Sequence, residues 1–248
     1  MGENRLWLLA HQDDEILGLH LNSNQVANFV VYLTDGVRFG ADYKSDTRVT
    51  EAQKAWNQID GNAELIFFGT DNSLPDGNLD NKIGYSHFHQ LISICGDRDI
   101  DEIITLQLEG GHQDHDITSL LAEELSKRLV LNLVTFPAYR ALHEKFPFYT
   151  VMNSTLKART ARTFSWTRRI QLAGLALRLM KGYKSQIFTW IGLGPFVILK
   201  YLFGKPSFLS SNELENASHE IPKKILYANR KMHSVIDYEK FRKKISSW

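Results

Sequence analysis

Five short apolar runs punctuate the first part of the chain, at residues 6–10, 29–33, 65–68, 103–108 and 132–136. Each is continuous rather than alternating, as a strand covered on both faces of a parallel sheet requires. Between them the apolar positions take a helical spacing. A helix is expected over residues 14–21, with acidic residues in its first turn. Asp46 or Thr47 can cap a second helix running to residue 59, whose apolar side includes Val49, Ala52, Ala55 and Trp56. Residues 85–94 and 116–129 give two more, while residues 72–81, rich in Asn, Asp, Pro and Gly, read as a loop. Strand alternating with helix predicts a doubly wound α/β architecture: a Rossmann-like three-layer αβα fold with a mainly parallel sheet.

The pattern changes past residue 150. Residues 157–184 carry Arg159, Arg162, Arg168, Arg169, Arg178, Lys181 and Lys184 with no acidic residue. Residues 187–203 are apolar except for Lys200. Residues 207–218 read as a polar loop, and the last thirty residues, mixing Lys with aromatics, as one or two helices. The chain therefore divides into a Rossmann-like core over 1–150 and a basic, then apolar, helical C-terminal region over 151–248 that packs on or covers the site, the whole forming one domain. The 187–203 run is expected first as a core or lid element. Next comes a peripheral membrane contact through about 157–203, with the basic stretch meeting anionic headgroups. A spanning helix ranks last, since the run is short and interrupted by Gly192, Gly194 and Pro195.

A net charge of +1 on 248 residues gives no electrostatic case for nucleic acid as a partner. Cys95 is the single cysteine, which fits a reducing compartment. The N-terminus lacks the basic start and long apolar stretch of a signal peptide. Cytoplasmic residence is expected, with the inner face of the membrane as the peripheral variant.

Candidate chemistry lies in two clusters, His11-Gln12-Asp13-Asp14-Glu15 and His112-Gln113-Asp114-His115, each just past a predicted strand. In a parallel sheet, residues beyond the strand C-termini converge on one edge. Imidazoles and carboxylates in this mixture favour Zn²⁺. A catalytic zinc ion takes three protein ligands and leaves one position for water. Hydrolysis then needs a base and an oxyanion donor, and the two clusters hold enough groups for all these roles.

The clusters resemble those of the PIG-L/LmbE family of zinc-dependent sugar de-N-acetylases, which shows Ala-His-Pro-Asp-Asp-Glu after its first strand and a His-Pro-Asp-His-like element later. Here the elements read Ala10-His11-Gln12-Asp13-Asp14-Glu15 and Gly111-His112-Gln113-Asp114-His115. The resemblance implies His11, Asp14 and His115 as ligands of Zn²⁺, or of Fe²⁺, which the same ligands can hold. It implies Asp13 as general base, a protonated His112 as oxyanion stabiliser, and Asp114 orienting a neighbouring imidazole. Arg48-Val49-Thr50-Glu51 resembles the family's Arg-x-x-Glu helix, which makes Arg48 a substrate contact. Leu74-Pro75-Asp76-Gly77-Asn78-Leu79 resembles its sugar-side loop, which makes Asp76 a hydroxyl acceptor. Lys181 and Tyr183-Lys184-Ser185-Gln186 resemble a late element. The implied substrate is an amino-sugar glycoconjugate, losing its acetyl group to give acetate and a free amine.

Gln12 and Gln113 replace the two family prolines; the chemistry survives this, but loop rigidity loses its proline. Gly110 stands where some members carry a tyrosine. The alternatives are a related amidase acting on a sugar–thiol or glycopeptide acyl group, and an inactive sugar-binding homologue. A dinucleotide-binding domain would want Gly-x-Gly-x-x-Gly after the first strand, where His-Gln-Asp-Asp-Glu stands instead. Arg48 with Glu51 also fits an ordinary helical ion pair. His87 and His89, two apart on a helix, face away from each other and read as core or surface residues. His20, His143, His219 and His233 have no partner at ligand spacing.

Overall fold

The computed structural model describes residues 4–23, 26–38, 40–141, 149–153, 160–161, 163–210 and 236–248. All five apolar runs become strands: β1 (Asn4–Leu9), β2 (Ala27–Tyr32), β3 (Glu64–Ile66), β4 (Glu102–Leu106) and β5 (Asn132–Phe136). They run parallel in the spatial order β3-β2-β1-β4-β5. The chain thus builds outward on one side of β1, then returns to its other side with β4. Leu6 pairs with Phe29 on one flank and with Ile103 on the other.

Side chains alternate across this sheet as the pleat demands. Trp7 and Leu9 join a core with Tyr32, Trp56, Ile104 and Phe136, whereas Leu6 and Leu8 join one with Val31, Phe88, Ile103 and Leu120. Helices fill both layers. In chain order they are α1 (Glu15–Gly18), α2 (Ser45–Ile59), α3 (Phe68–Asp71), α4 (Leu79–Lys82), α5 (Tyr85–Asp97), α6 (Gln113–Leu129), α7 (Trp166–Gly182), α8 (Ile187–Phe203) and α9 (Tyr238–Ser246). The fold is the expected three-layer αβα arrangement. Leu172, Ala176, Val197 and Tyr201 of α7 and α8 belong to the same core as Trp7, so the C-terminal helices share the interior of the sheet rather than forming one of their own.

Several expectations need correction. Phe68, read as the end of the third strand, starts α3 and is buried there. The first helix is a single α-turn continued by a 3₁₀ turn at Leu19–Leu21. Residues 207–210, read as loop, form β9 (Ser207–Ser210), antiparallel to β5. A free edge on β5 offers unpaired backbone groups, and pairing with them outweighs the polar composition of the segment. A two-residue β8 (Thr160–Ala161) adds beyond β9, making seven strands, and β6 (Tyr139–Ala141) pairs antiparallel with β7 (Tyr149–Val151). Residues 211–218, His143, His219 and His233 lie outside the described residues. His87 Nδ1 accepts the Gly84 N–H at 3.1 Å, a capping role at the start of α5.

Residues 187–203 form one helix, with Pro195 inside it. One side, including Trp190, Val197 and Tyr201, is buried, while Phe188, Ile191, Leu199 and Phe203 on the other are exposed. The run is therefore only half the core element expected of it. The Tyr201 hydroxyl donates to the Ile16 carbonyl at 2.7 Å inside the core and ties α8 to the turn after β1. Tyr201→Phe leaves that buried carbonyl without its partner. The expected cost is about 1 kcal/mol, read as a lower urea midpoint at unchanged slope.

Candidate active site

β1 and β4 are adjacent and parallel, so the loops that follow them meet at the point where strand order reverses, the usual crevice of such sheets. Both clusters sit there, on the floor of a cleft of about 1460 Å³ lined by His11, Asp13, Asp14, Asp76, His112 and His115. Ile187, Phe188 and Thr189 of α8, with Arg38, Tyr43 and Thr47, form its walls.

The three residues expected as ligands converge. His11 Nδ1 lies 3.3 Å from His115 Nε2, which lies 3.1 Å from Asp14 Oδ1, and Asp14 Oδ2 is 3.7 Å from His11 Nδ1. Donor atoms around a tetrahedral zinc at about 2.1 Å stand about 3.4 Å from one another. Asp14 is pre-set for this position, because its Oδ2 also accepts the His11 backbone N–H at 2.8 Å. The charge balance suits a cation as well. Burial alone would push the His11 imidazole down, but Asp76, Asp114 and Asp14 outweigh it and hold the ring well above its ordinary range. Burial pushes the Asp14 carboxyl up, yet His115 and His11 together bring it down to about 2. The residues present fit a divalent metal. Two further groupings, His11 with His112 and His115, and His11 with Asp76, His112 and Asp114, bring their ligand atoms within 4.8 Å of one another.

Asp13 stands beside the ligands on a backbone with φ of 125°, a conformation that costs an L-residue on the order of 1–3 kcal/mol. Its surroundings enforce it. The Asp13 N–H donates to Glu15 Oε2 at 3.2 Å, and Arg48 donates to both the Gln12 carbonyl and Asp13 Oδ1, the latter at 2.9 Å. Burial pushes the Asp13 carboxyl up to about 6, against the pull of Arg48. That is close to the value a general base needs near neutral pH.

Arg48 was expected to touch substrate. It borders the cleft but is only 1% exposed, and its Nη1 and Nη2 groups donate to Ser185 Oγ, the Gln12 carbonyl and Asp13, with Glu51 Oε2 at 3.7 Å. Its place in the structure is that of a clamp on Asp13. Asp76 remains at the cleft surface, with Oδ1 3.2 Å from His11 Nε2 and 3.8 Å from His112 Nε2. Asp114 Oδ2 lies 3.1 Å from His11 Nε2, as expected of an orienting carboxylate, and also accepts the Gly77 N–H at 2.6 Å. It thereby fixes the loop that carries Asp76.

His112 departs from the protonated form expected of it. Burial, together with His11 and His115, pushes its imidazole down to about 3, so the ring is neutral. Its Nδ1 accepts the Asp114 N–H at 3.2 Å. The remaining proton therefore sits on Nε2, where it can still be donated. Gly111 must precede it without a side chain, since a Cβ there would lie 1.8 Å from the Tyr139 carbonyl oxygen.

Sequence reasoning missed Glu15 and Tyr183 as partners. Tyr183, at the end of α7, donates to Glu15 Oε1, and Tyr32 donates to Glu15 Oε2 at 3.1 Å. The only signal was the Tyr183-Lys184-Ser185-Gln186 element, whose Ser185 hydroxyl donates to Glu51 Oε2 at 2.5 Å. Tyr139 was missed as well; its ring lies edge-on to His115 with centroids 5.4 Å apart.

The PIG-L family model, described as GlcNAc-PI de-N-acetylase, matches residues 6–126, the stretch that carries both clusters, so the chain is similar to that family there. No curated protein sequence matches the chain. Among solved structures, a deacetylase of teicoplanin biosynthesis shares 15% identity at a TM-score of 0.59, over 88% of this chain and 94% of that one. An N,N'-diacetylchitobiose deacetylase from Pyrococcus horikoshii shares 17% at 0.57, over 89% and 87%. The A40926 pseudoaglycone deacetylase shares 13% at 0.54, over 83% and 94%. At such identities the likeness is one of fold.

Two outcomes follow from the loop after β4. Gln113 is the first residue of α6, and both polar atoms of its buried amide lack a partner. Proline is favoured at that position, and the extended backbone of His112 (φ −141°, ψ 140°) accommodates it. Gln113→Pro is expected to raise stability by about 1 kcal/mol, measured as a higher Tm. Glu109 accepts the Ala138 N–H at 2.5 Å, and burial pushes its carboxyl up to about 8. The folded state therefore holds this proton more tightly than the unfolded one. Stability is lost as pH rises from the ordinary carboxylate range through about 8. Glu109→Gln abolishes this loss, so its advantage over wild type in chemical denaturation should grow between acidic and alkaline pH, by on the order of 2 kcal/mol.

Proposed function

We propose that the protein is a metal-dependent amide hydrolase that removes the N-acetyl group of an amino sugar within a GlcNAc-type glycoconjugate. The observation that carries this reading is the joint placement of His11, Asp14 and His115 at ligand spacing with Asp13 clamped beside them. The match of residues 6–126 to a de-N-acetylase family and the deacetylase names of the structural neighbours support the choice of amide. The size of the cleft suits a conjugate larger than a single sugar.

A Zn²⁺ or Fe²⁺ ion held by His11, Asp14 and His115 would polarise the acetyl carbonyl and acidify the attacking water. Asp13 takes a proton from that water as its oxygen bonds to the carbonyl carbon. His112 donates its Nε2–H to the carbonyl oxygen as negative charge builds there. The carbon–nitrogen bond then breaks, Asp13 returns the proton to the departing nitrogen, and acetate and the free amine leave. Arg48 holds Asp13 in line throughout and contributes no proton. Asp76, which lines the cleft beside His112, would accept a sugar hydroxyl.

Metal analysis combined with acetate release from a panel of N-acetylglucosamine conjugates tests this. Wild type should hold one metal ion per chain. Asp14→Ala should lose both the metal and acetate release. Asp13→Asn should keep the metal while kcat falls by roughly 10²–10⁴. A folded wild type without metal, or an active Asp13→Asn, would sink the reading. Release of longer acyl groups in preference to acetate would move it to the related amidase.

A further inference from the structure

Helices α7 and α8 carry an apolar surface that the hydrolytic site does not use. Phe188, Ile191, Leu199 and Phe203 fall on one side of α8 at helical spacing, and each is more than half exposed. Trp166 and Ile170 of α7 are exposed to the same degree, and Trp166 meets Phe203 with ring centroids 5.9 Å apart. A soluble monomer rarely shows so many large apolar side chains together. The segment Lys184–Phe203 is long and apolar enough to cross a membrane. Its opposite side, however, is fixed in the core through Trp190, Val197 and Tyr201, so the helix lies along the protein surface.

Charge selects the occupant. No Asp or Glu occurs between Glu144 and Glu213. Arg168, Arg178 and Lys181 are exposed on α7, and Lys184 and Lys205 are exposed just before and just after α8. A second copy of the chain would set one basic surface against another. An anionic bilayer instead accepts the apolar side chains below its headgroups and the cations among them. The stripe is also continuous with the site, since Ile187, Phe188, Gly192 and Leu193 line the cleft.

We propose that the α7–α8 surface is an interfacial docking face for anionic phospholipid bilayers, lying flat and holding the mouth of the cleft at headgroup level.

Cosedimentation of the full chain with phosphatidylglycerol/phosphatidylcholine vesicles, beside vesicles of phosphatidylcholine alone, tests the docking face. At low salt, binding should be at least about tenfold stronger to the anionic vesicles, and added salt should weaken it. The double variant Leu199→Glu/Phe203→Glu, whose positions lie outside the cleft lining, should lose about tenfold or more while keeping the wild-type circular dichroism and Tm. An environment-sensitive dye on Leu199→Cys should shift to the blue on anionic vesicles, and one on exposed Val130→Cys should not. A wild type that stays in the supernatant, or a double variant that binds unchanged, would overturn the proposal. So would a dimer in light scattering that the double variant dissociates, which would make the face a self-interface. None of these readouts involves metal or acetate. Vesicle binding without acetate release would therefore remove the hydrolase reading and leave the docking face, and hydrolysis without vesicle binding would do the reverse.

Discussion

The parallel pairing of β1 with β4 is the constraint on which the site depends. Arg5 through Leu8 register against Glu102 through Thr105, so two loops far apart in sequence leave the sheet side by side. Every close distance in the site, from His11 to His115, Asp114 and Asp76, is inherited from that register. A one-residue slip would turn Leu6 and Leu8 to the opposite layer and carry His11 away from its partners. The registry is held because both faces are buried, with Trp7 and Leu9 fitting one layer of helices and Leu6 and Leu8 the other.

Around this junction the chain fixes a strained backbone with buried hydrogen bonds rather than with proline. Glu15 sits at the centre. It takes hydrogen bonds from Tyr183, Tyr32 and the Asp13 N–H, joining the β1 loop to β2 and to the end of α7. Burial pushes its carboxyl up to about 7. Arg48 fastens the other side of Asp13, and Ser185 and Glu51 fasten Arg48. The C-terminal helical region is therefore part of what orients the Asp13 carboxylate. The second loop has a similar support, for Asp116 takes the N–H groups of Glu109 and Gly110 and the hydroxyl of Tyr238 from α9.

The parts legible in the sequence are those set by local pattern. The five continuous apolar runs specified the strands, and the position of each cluster just past a run specified where its side chains would emerge. What escaped was set by tertiary contact. Residues 207–210 carry no strong strand pattern and became β9 because β5 had a free edge. Phe68 turned from strand to helix where the chain packs beneath Thr34. Arg48 was readable as important, but its burial, and hence its clamping role, depended on Ser185 arriving from far along the chain. The neutral state of His112 came from two neighbouring imidazoles and burial, none of which its own motif displays.

Gln12 occupies a family proline position, and its side chain takes over a spatial task. It is fully buried, its amide donates to the Thr34 carbonyl at 3.2 Å, and its Oε1 fills the space a Cβ on Gly36 would need, 2.0 Å away. Gly36 itself has a φ of 68°, which favours glycine independently. Positions 12 and 36 are thus interlocked, and neither can be altered without reference to the other. Coupled in this way, they form an epistatic pair at the rim of the site. A side chain at 36 would have both to displace the buried Gln12 amide and to accept a left-handed backbone, so the turn after β2 is held to glycine from two directions.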